Sequence, residues 1–194
     1  MSKALDVLGE RWTLLIVRDL LMGPSRYGEL LERLQGVTTN LLAKRIKEMQ
    51  EAGLIEAVQP GLKGSAYRLT EKGEALEEVV FALGHWGFEH AMEINPEDRP
   101  NLRWALLSAR RRWKPLDREW AINITSPKNV YCFFEKEGKI RSVVGESPLA
   151  NLSLAGDEAE LCRLIVTGDM KNRASRNIEI SGEKELLTQL LAGA

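Results

Sequence analysis

Between residues 38 and 51 the chain reads TTNLLAKRIKEMQE. Three small polar residues, Thr38, Thr39 and Asn40, lead into a segment that carries Lys44, Arg45 and Lys47. Small polar side chains cap helix starts, and a helix start attracts anions. Asn can pair bidentately with adenine, and Lys reaches guanine or phosphate. These residue types in this order therefore suit contact with a nucleic-acid duplex. Leu42, Ile46 and Met49 predict the buried stripe of an amphipathic helix. Asn40, Lys44, Lys47 and Glu51 form a second stripe at i, i+4, i+7 and i+11, turned away from the first. Arg45 lies to one side, where phosphate contact is the natural expectation. A merely solvated face carries similar charges, so the neighbouring elements must decide.

The segment SKALDVLGERWTLLIVRDLLMG predicts one helix, with Leu5, Leu8, Trp12, Leu15, Ile16 and Leu20 near a helical period. Gly23-Pro24 stops it. SRYGELLERL predicts a second, short helix with Ser25 as its cap, and QGV is a three-residue connection to the third. Gly53 ends the third helix as a C-terminal glycine. Residues 54–58 and 66–70 predict a hairpin, with Lys63 near its tip and Arg68 on its return strand. From Thr38 to Arg68 there are five basic and three acidic residues. EKGEALEEVVFALGHWGFEHAME predicts one further helix, and INPEDRPN, with two prolines and three charges, reads as a linker.

Beyond the linker, LRWALLSARRRW predicts a helix, and from Glu119 the period changes to two. EWAINIT, NVYCFFE, GKIRSVVG, ANLSLAG and NIEISG are strand candidates. DEAELCRLIVTG, with Asp157 at its start, and EKELLTQLLAG are helices. Trp104, Trp113, Trp120, Tyr131, Phe133 and Phe134 crowd this half, as core for a small sheet or as the wall of an apolar cavity.

Composition narrows the function. The 194 residues carry a formal net charge of −1, with 11 basic and 13 acidic residues through Met92 and 16 and 15 after it. Any nucleic-acid contact must therefore rest on local charge. Cys132 and Cys162 fit no zinc spacing with His85 and His90 and read as buried thiols. No histidine follows His90, so histidine-assisted nucleophile chemistry has no base in the second half. No metal cluster, cofactor motif or phosphate loop is expected. The absence of an apolar leader and of a membrane-length run predicts a soluble, cytoplasmic protein without membrane contact.

Two short helices, a tight turn and a hairpin follow the winged helix-turn-helix order. GERWTLLIVRDL, GPSRYGELLERL, LLAKRIKEMQEAGLI and YRLTEKG resemble the HxlR family of bacterial regulators, relatives of the MarR group, over roughly residues 3 to 90. The resemblance implies a DNA-binding transcription factor without catalysis, dimeric through the first and last helices of this half. Thr38, Thr39, Asn40, Lys44, Arg45 and Lys47 would then meet a double-stranded, palindromic operator, and Lys63 and Arg68 its flanking backbone. Many family members carry a reactive cysteine before the first helix. This chain has no cysteine in its first half, so thiol sensing there is not expected.

Residues 119 to 191 resemble sterol-carrier-protein-like domains of the second type, on the GKI hairpin, LSLAGD, the AELCRLIVTG helix and the closing IEISGEKELLTQLL. That resemblance implies an apolar tunnel for a lipid-like molecule, with Trp120, Ile122, Ile124, Tyr131 and Phe133 as candidate lining. The expected fold is α+β. A winged helix-turn-helix domain spans 1–93, a linker and connecting helix 94–118, and a sterol-carrier-protein-like domain with a small, mostly antiparallel sheet 119–194. The competing reading is a lipid-binding or carrier protein whose winged-helix half serves protein interaction.

Overall fold

The structure is a computed structural model that describes residues 1–58, 66–90, 101–168 and 177–192. The chain separates into two compact units, Met1–Met92 and Glu93–Ala194. In the first, the order is α1 (Ser2–Leu8), α2 (Arg11–Leu20), β1 (Ser25–Arg26), α3 (Tyr27–Arg33), α4 (Thr39–Glu51), β2 (Ile55–Val58), β3 (Ala66–Leu69), α5 (Glu71–Glu74) and α6 (Glu77–His90). The strands form an antiparallel sheet in the order β1-β3-β2. Ile16, Val17, Leu30, Leu42, Ile46 and Leu54 form the core beside it.

Three local expectations change. The single helix expected over residues 2–22 is two. Gly9 caps α1, and Glu10 turns extended (φ −82°, ψ 122°) to start α2. The apolar residues therefore divide between two surfaces: Ile16, Val17 and Leu20 enter the core, whereas Leu5 and Val7 stay exposed. Ser25 is not a cap but pairs with Tyr67 in β1. Arg26 is the N-cap instead, and its N–H donates to Glu29 at 3.0 Å. The helix expected from Glu71 onward breaks at Ala75, the C-cap of α5, before α6 begins.

Two polar fastenings hold this unit. Asp19, with a side chain 1 % exposed, pairs with Arg18 at 2.9 Å and Arg33 at 3.1 Å. Arg33 also donates to Ser25 Oγ at 2.6 Å, so one guanidinium ties α3 to α2 and β1. The second fastening explains the TEKG segment. Gly53 turns the chain out of α4 at φ +69°, where a side chain would be strained. Thr70 Oγ1 donates to the Gly53 carbonyl at 2.6 Å and accepts from the Gly73 N–H at 3.2 Å. Lys72 donates to the carbonyl of Ala52, the C-cap of α4, at 2.7 Å. The far end of α4 is thereby locked to the wing.

The second unit contains α7 (Leu102–Arg112), β4 (Ala121–Thr125), β5 (Val130–Lys136), β6 (Lys139–Val144), β7 (Leu152–Ala155), α8 (Glu158–Thr167), β8 (Glu179–Gly182) and α9 (Lys184–Ala192). Its sheet runs β6-β5-β4-β7-β8, antiparallel throughout except for the parallel β4–β7 pair. The molecule is thus α+β. Helix α7, which sequence composition places in a connecting segment, packs on α8 and buries Leu102, Leu106 and Ala109. Arg112 donates to the Ile165 and Val166 carbonyls at 2.8 and 3.2 Å, closing the end of α8. Asn123, on the polar side of the expected alternation, is itself buried. Its amide exchanges two 2.9 Å hydrogen bonds with the backbone of Ser147, which holds the following loop against the sheet.

Both cysteines are free and buried. Burial, aided by Glu158 and Asp157, pushes the Cys162 thiol up to about 12, and burial also raises Cys132. The thiolate is the reactive form, so neither cysteine should react with a disulfide reagent at pH 8 in native protein, and both should react once it is denatured. The unfolded thiols ionise near pH 9 while the folded Cys162 keeps its proton. Stability from this group is therefore complete below pH 9 and is lost between pH 9 and about 12. A pH series of denaturant melts, with Cys162→Ala as control, measures that loss.

Candidate nucleic-acid interface

Helix α4 starts where its sequence says it should. Thr38 has extended backbone, and its hydroxyl accepts from the Leu41 N–H at 3.3 Å. Leu42, Ile46 and Met49 are buried, which fixes the rotation of the helix. Thr38, Thr39 and Asn40 are exposed at its first turn. Lys44 and Lys47 project from the same outer stripe, with side chains 65 % and 79 % exposed. Each faces a carboxylate one turn on, Glu48 at 3.9 Å and Glu51 at 3.8 Å. Exposed pairs of this kind contribute only about 0.3–0.5 kcal/mol, so a phosphate displaces them at little cost.

Arg45 is placed differently from the phosphate contact expected of it. Its side chain is only 12 % exposed, and it reaches Glu48 at 2.7 Å and Glu10 at 3.5 Å. It fastens α4 to the start of α2 because carboxylates stand on both sides of it. Arg68 lies on β3 directly opposite Glu56 of β2 and donates to it at 2.6 Å, with more than half of its side chain still exposed. Lys63 lies outside the described residues.

Tyr27 was missed by sequence reasoning. Its hydroxyl donates to the Thr39 carbonyl at 2.6 Å, so α3 holds the first turn of α4 in place. Tyr27 opens α3, and a polar aromatic at the start of one helix was the available signal.

In the second unit all five candidate lining residues, Trp120, Ile122, Ile124, Tyr131 and Phe133, are at most 2 % exposed. Ile122 lies opposite Phe133 and Leu152, and Ile124 opposite Tyr131 and Leu154, so these side chains share one sheet face. Trp113 meets Trp120 and Phe133 edge to face, with ring centroids at 6.2 and 5.6 Å. Trp120 Nε1 is satisfied by Glu135 at 2.9 Å. Arg103, itself buried, places its guanidinium 5.8 Å from the Tyr131 ring centre. No helix among the described residues is long and apolar enough to cross a membrane.

Comparison with known proteins bears on the first unit. Residues 7–95 match the family model described as HxlR-like helix-turn-helix. An uncharacterized HTH-type transcriptional regulator of Mycobacterium tuberculosis is 37 % identical over 92 residues, which is 46 % of this chain and 58 % of that protein. The chain thus spans less than two thirds of this mycobacterial relative. The HTH-type transcriptional regulator YodB of Bacillus subtilis is 36 % identical over 88 residues, 44 % of this chain and 79 % of YodB. YvaP, an uncharacterized HTH-type regulator of the same organism, is 33 % identical over 90 residues, 45 % of this chain and 83 % of YvaP. The solved structure of reduced YodB superposes with a TM-score of 0.43 at 31 % identity, covering 49 % of this chain and 95 % of that one. By sequence similarity of this extent, on a first unit that folds as helix, turn, helix and wing, the chain belongs to the HxlR-like helix-turn-helix family.

Proposed function

We propose that the chain is a homodimeric transcriptional regulator that binds a palindromic DNA operator and catalyses no reaction. The observation that carries this reading is the outer stripe of α4. Asn40 in the capped first turn and Lys44 and Lys47 after it are exposed, on a helix whose opposite face is locked in the core. Thr38, Thr39, Asn40, Lys44 and Lys47 meet base edges and nearby phosphates in the major groove. Lys63 and Arg68 meet the flanking backbone, while Arg45 holds the helix in position. Residues 1–93 form the DNA-binding and dimerisation domain. Exposed apolar side chains on α1 (Leu5, Val7) and α6 (Val79, Leu83, Trp86) support pairing through these two helices.

Residues 119–194, with the preceding helix packed on them, act as a sterol-carrier-protein-like domain that takes an apolar, lipid-like effector between sheet and helices. The shared face of Trp120, Ile122, Ile124, Tyr131 and Phe133 supports this reading. An effector alters DNA binding only if it favours one dimer geometry over another. Uptake of a fluorescent fatty acid by the full chain tests the effector domain.

Fluorescence anisotropy with duplexes from the gene's own upstream region, across a salt series and against random duplex, tests the regulator reading. Lys44→Ala with Lys47→Ala should weaken binding and flatten the slope of log K against log salt by about 2 to 4 for a dimer, near 0.9 for each phosphate that is no longer neutralised. Arg45→Ala should leave that slope nearly unchanged, because its charge is already met by Glu10 and Glu48. An unaltered slope in the Lys double variant would remove α4 as the reading helix.

A further inference from the structure

The described cations of α4 and the wing, Lys44, Arg45, Lys47 and Arg68, each lie 2.6 to 3.9 Å from a carboxylate. Arg26 differs. It is exposed, and its side chain has no ion-pair partner among the described residues. Glu29, the carboxylate nearest in sequence, is engaged elsewhere. It accepts the Arg26 backbone N–H at 3.0 Å and stands 4.0 Å from the Arg33 guanidinium.

The backbone of Arg26 is fixed from three directions. Arg26 pairs with Ala66 of β3, it is the N-cap of α3, and its neighbour Tyr27 donates to the Thr39 carbonyl at 2.6 Å. Ser25 is buried and Arg26 exposed, the alternation of a strand. Arg26 thus stands between the return strand of the wing and the first turn of α4, the two elements that meet DNA on the regulator reading.

In a helix-turn-helix the helix before the reading helix crosses the phosphate backbone. Here that helix is α3, and Arg26 begins it. A guanidinium offers a phosphate two parallel N–H donors. A cation without a carboxylate partner meets a phosphate with no ion pair to give up first, so its whole charge is available to release counterions from the duplex. Lys44, Lys47 and Arg68 each give up a carboxylate in the same exchange.

We propose that Arg26 is a phosphate clamp of the DNA interface, holding one backbone phosphate beside the half-site that α4 reads. The proposal deepens the regulator reading given above and rests on it. The clamp adds affinity and fixes how α4 sits in the groove, and it carries no sequence information of its own.

The test is fluorescence anisotropy of the full chain across a salt series, on the gene's own upstream duplex and on random duplex of equal length. Arg26→Gln should weaken both complexes by the same factor, roughly tenfold or more near 0.1 M salt, and flatten the slope of log K against log salt by about 2 for a dimer. Arg26→Lys keeps the charge and should keep the slope, with some affinity lost because an ammonium lacks the planar fork. Thermal melts of both variants should match the parent, since the side chain is exposed and makes no ion pair among the described residues. An unaltered slope in Arg26→Gln, a loss confined to the upstream duplex, or a slope in Arg26→Lys as flat as in Arg26→Gln would each overturn the proposal. The slope on random duplex is read without any operator preference. A parent chain that binds both duplexes alike, with the slope flattened in Arg26→Gln, would therefore overturn the operator reading and leave the clamp standing. No binding of the parent to either duplex at low salt would overturn both.

Discussion

Gly73→Ala should lower the unfolding midpoint of the first unit by roughly 10–20 °C, corresponding to about 3 kcal/mol. A Cβ built on Gly73 would lie 2.1 Å from the Leu54 carbonyl oxygen and 3.0 Å from Leu69 Cδ2. The carbonyl cannot retreat without loss, because it accepts the Thr70 N–H at 3.0 Å and marks the exit from α4 into β2. The strain therefore spreads to the Thr70 and Lys72 bonds that lock the end of α4, and on the proposed regulator reading operator affinity should fall with stability. Gly28→Ala is the matched control, since a Cβ there meets nothing within 4 Å and the residue lies in α3. It should raise stability by up to about 1 kcal/mol. Thermal melts of the two variants separate a steric requirement from a general preference for glycine.

Removal of the Asp19 partnership should have an effect of similar size and a different signature. Arg33→Ala leaves a carboxylate 1 % exposed with less compensation, and breaking such a buried pair costs about 3–5 kcal/mol. Arg33 is itself partly exposed, which places the expected cost near the lower end, about 3 kcal/mol. Arg33→Lys should not restore stability. A single ammonium cannot reproduce the fork that reaches Asp19 and Ser25 Oγ together. In a double-mutant cycle, Asp19→Ala with Arg33→Ala should cost less than the sum of the two single changes, by about 1–3 kcal/mol. Strict additivity in denaturant melts would show that the two side chains act separately.

What could be read in the sequence depended on how local its cause was. The buried face of α4 was legible because Leu42, Ile46 and Met49 impose it through spacing alone. A polar cap at the start of α4 was legible from Thr38, Thr39 and Asn40 together, and the structure selects Thr38. Ser25 was misread because its fate is decided by Tyr67 on a strand far along the chain, and no local pattern records that pairing. The inward placement of Arg45 was not legible because Glu10, the residue that precedes α2, helps to draw it in, and nothing in the α4 segment records that carboxylate. Gly9 allowed a break that the apolar period ran straight through, so two short helices resembled one long one. In the second unit the strands were legible from alternation. The face that Trp120, Ile122 and Ile124 share with Tyr131 and Phe133 required the register between β4 and β5, which periodicity does not contain.

Strand β1 is only two residues long, yet it joins the α2–α3 junction to β3, with Ser25 opposite Tyr67 and Arg26 opposite Ala66. β3 continues through Thr70 to the end of α4, and Tyr27 holds its beginning. The strands of the wing and the reading helix are thereby parts of one preformed frame. On the regulator reading proposed above, such a frame would meet a duplex without first having to order itself, and encounter would be governed by diffusion and charge steering. Differences in affinity between related operators should then appear as differences in residence time, with arrival rates nearly the same.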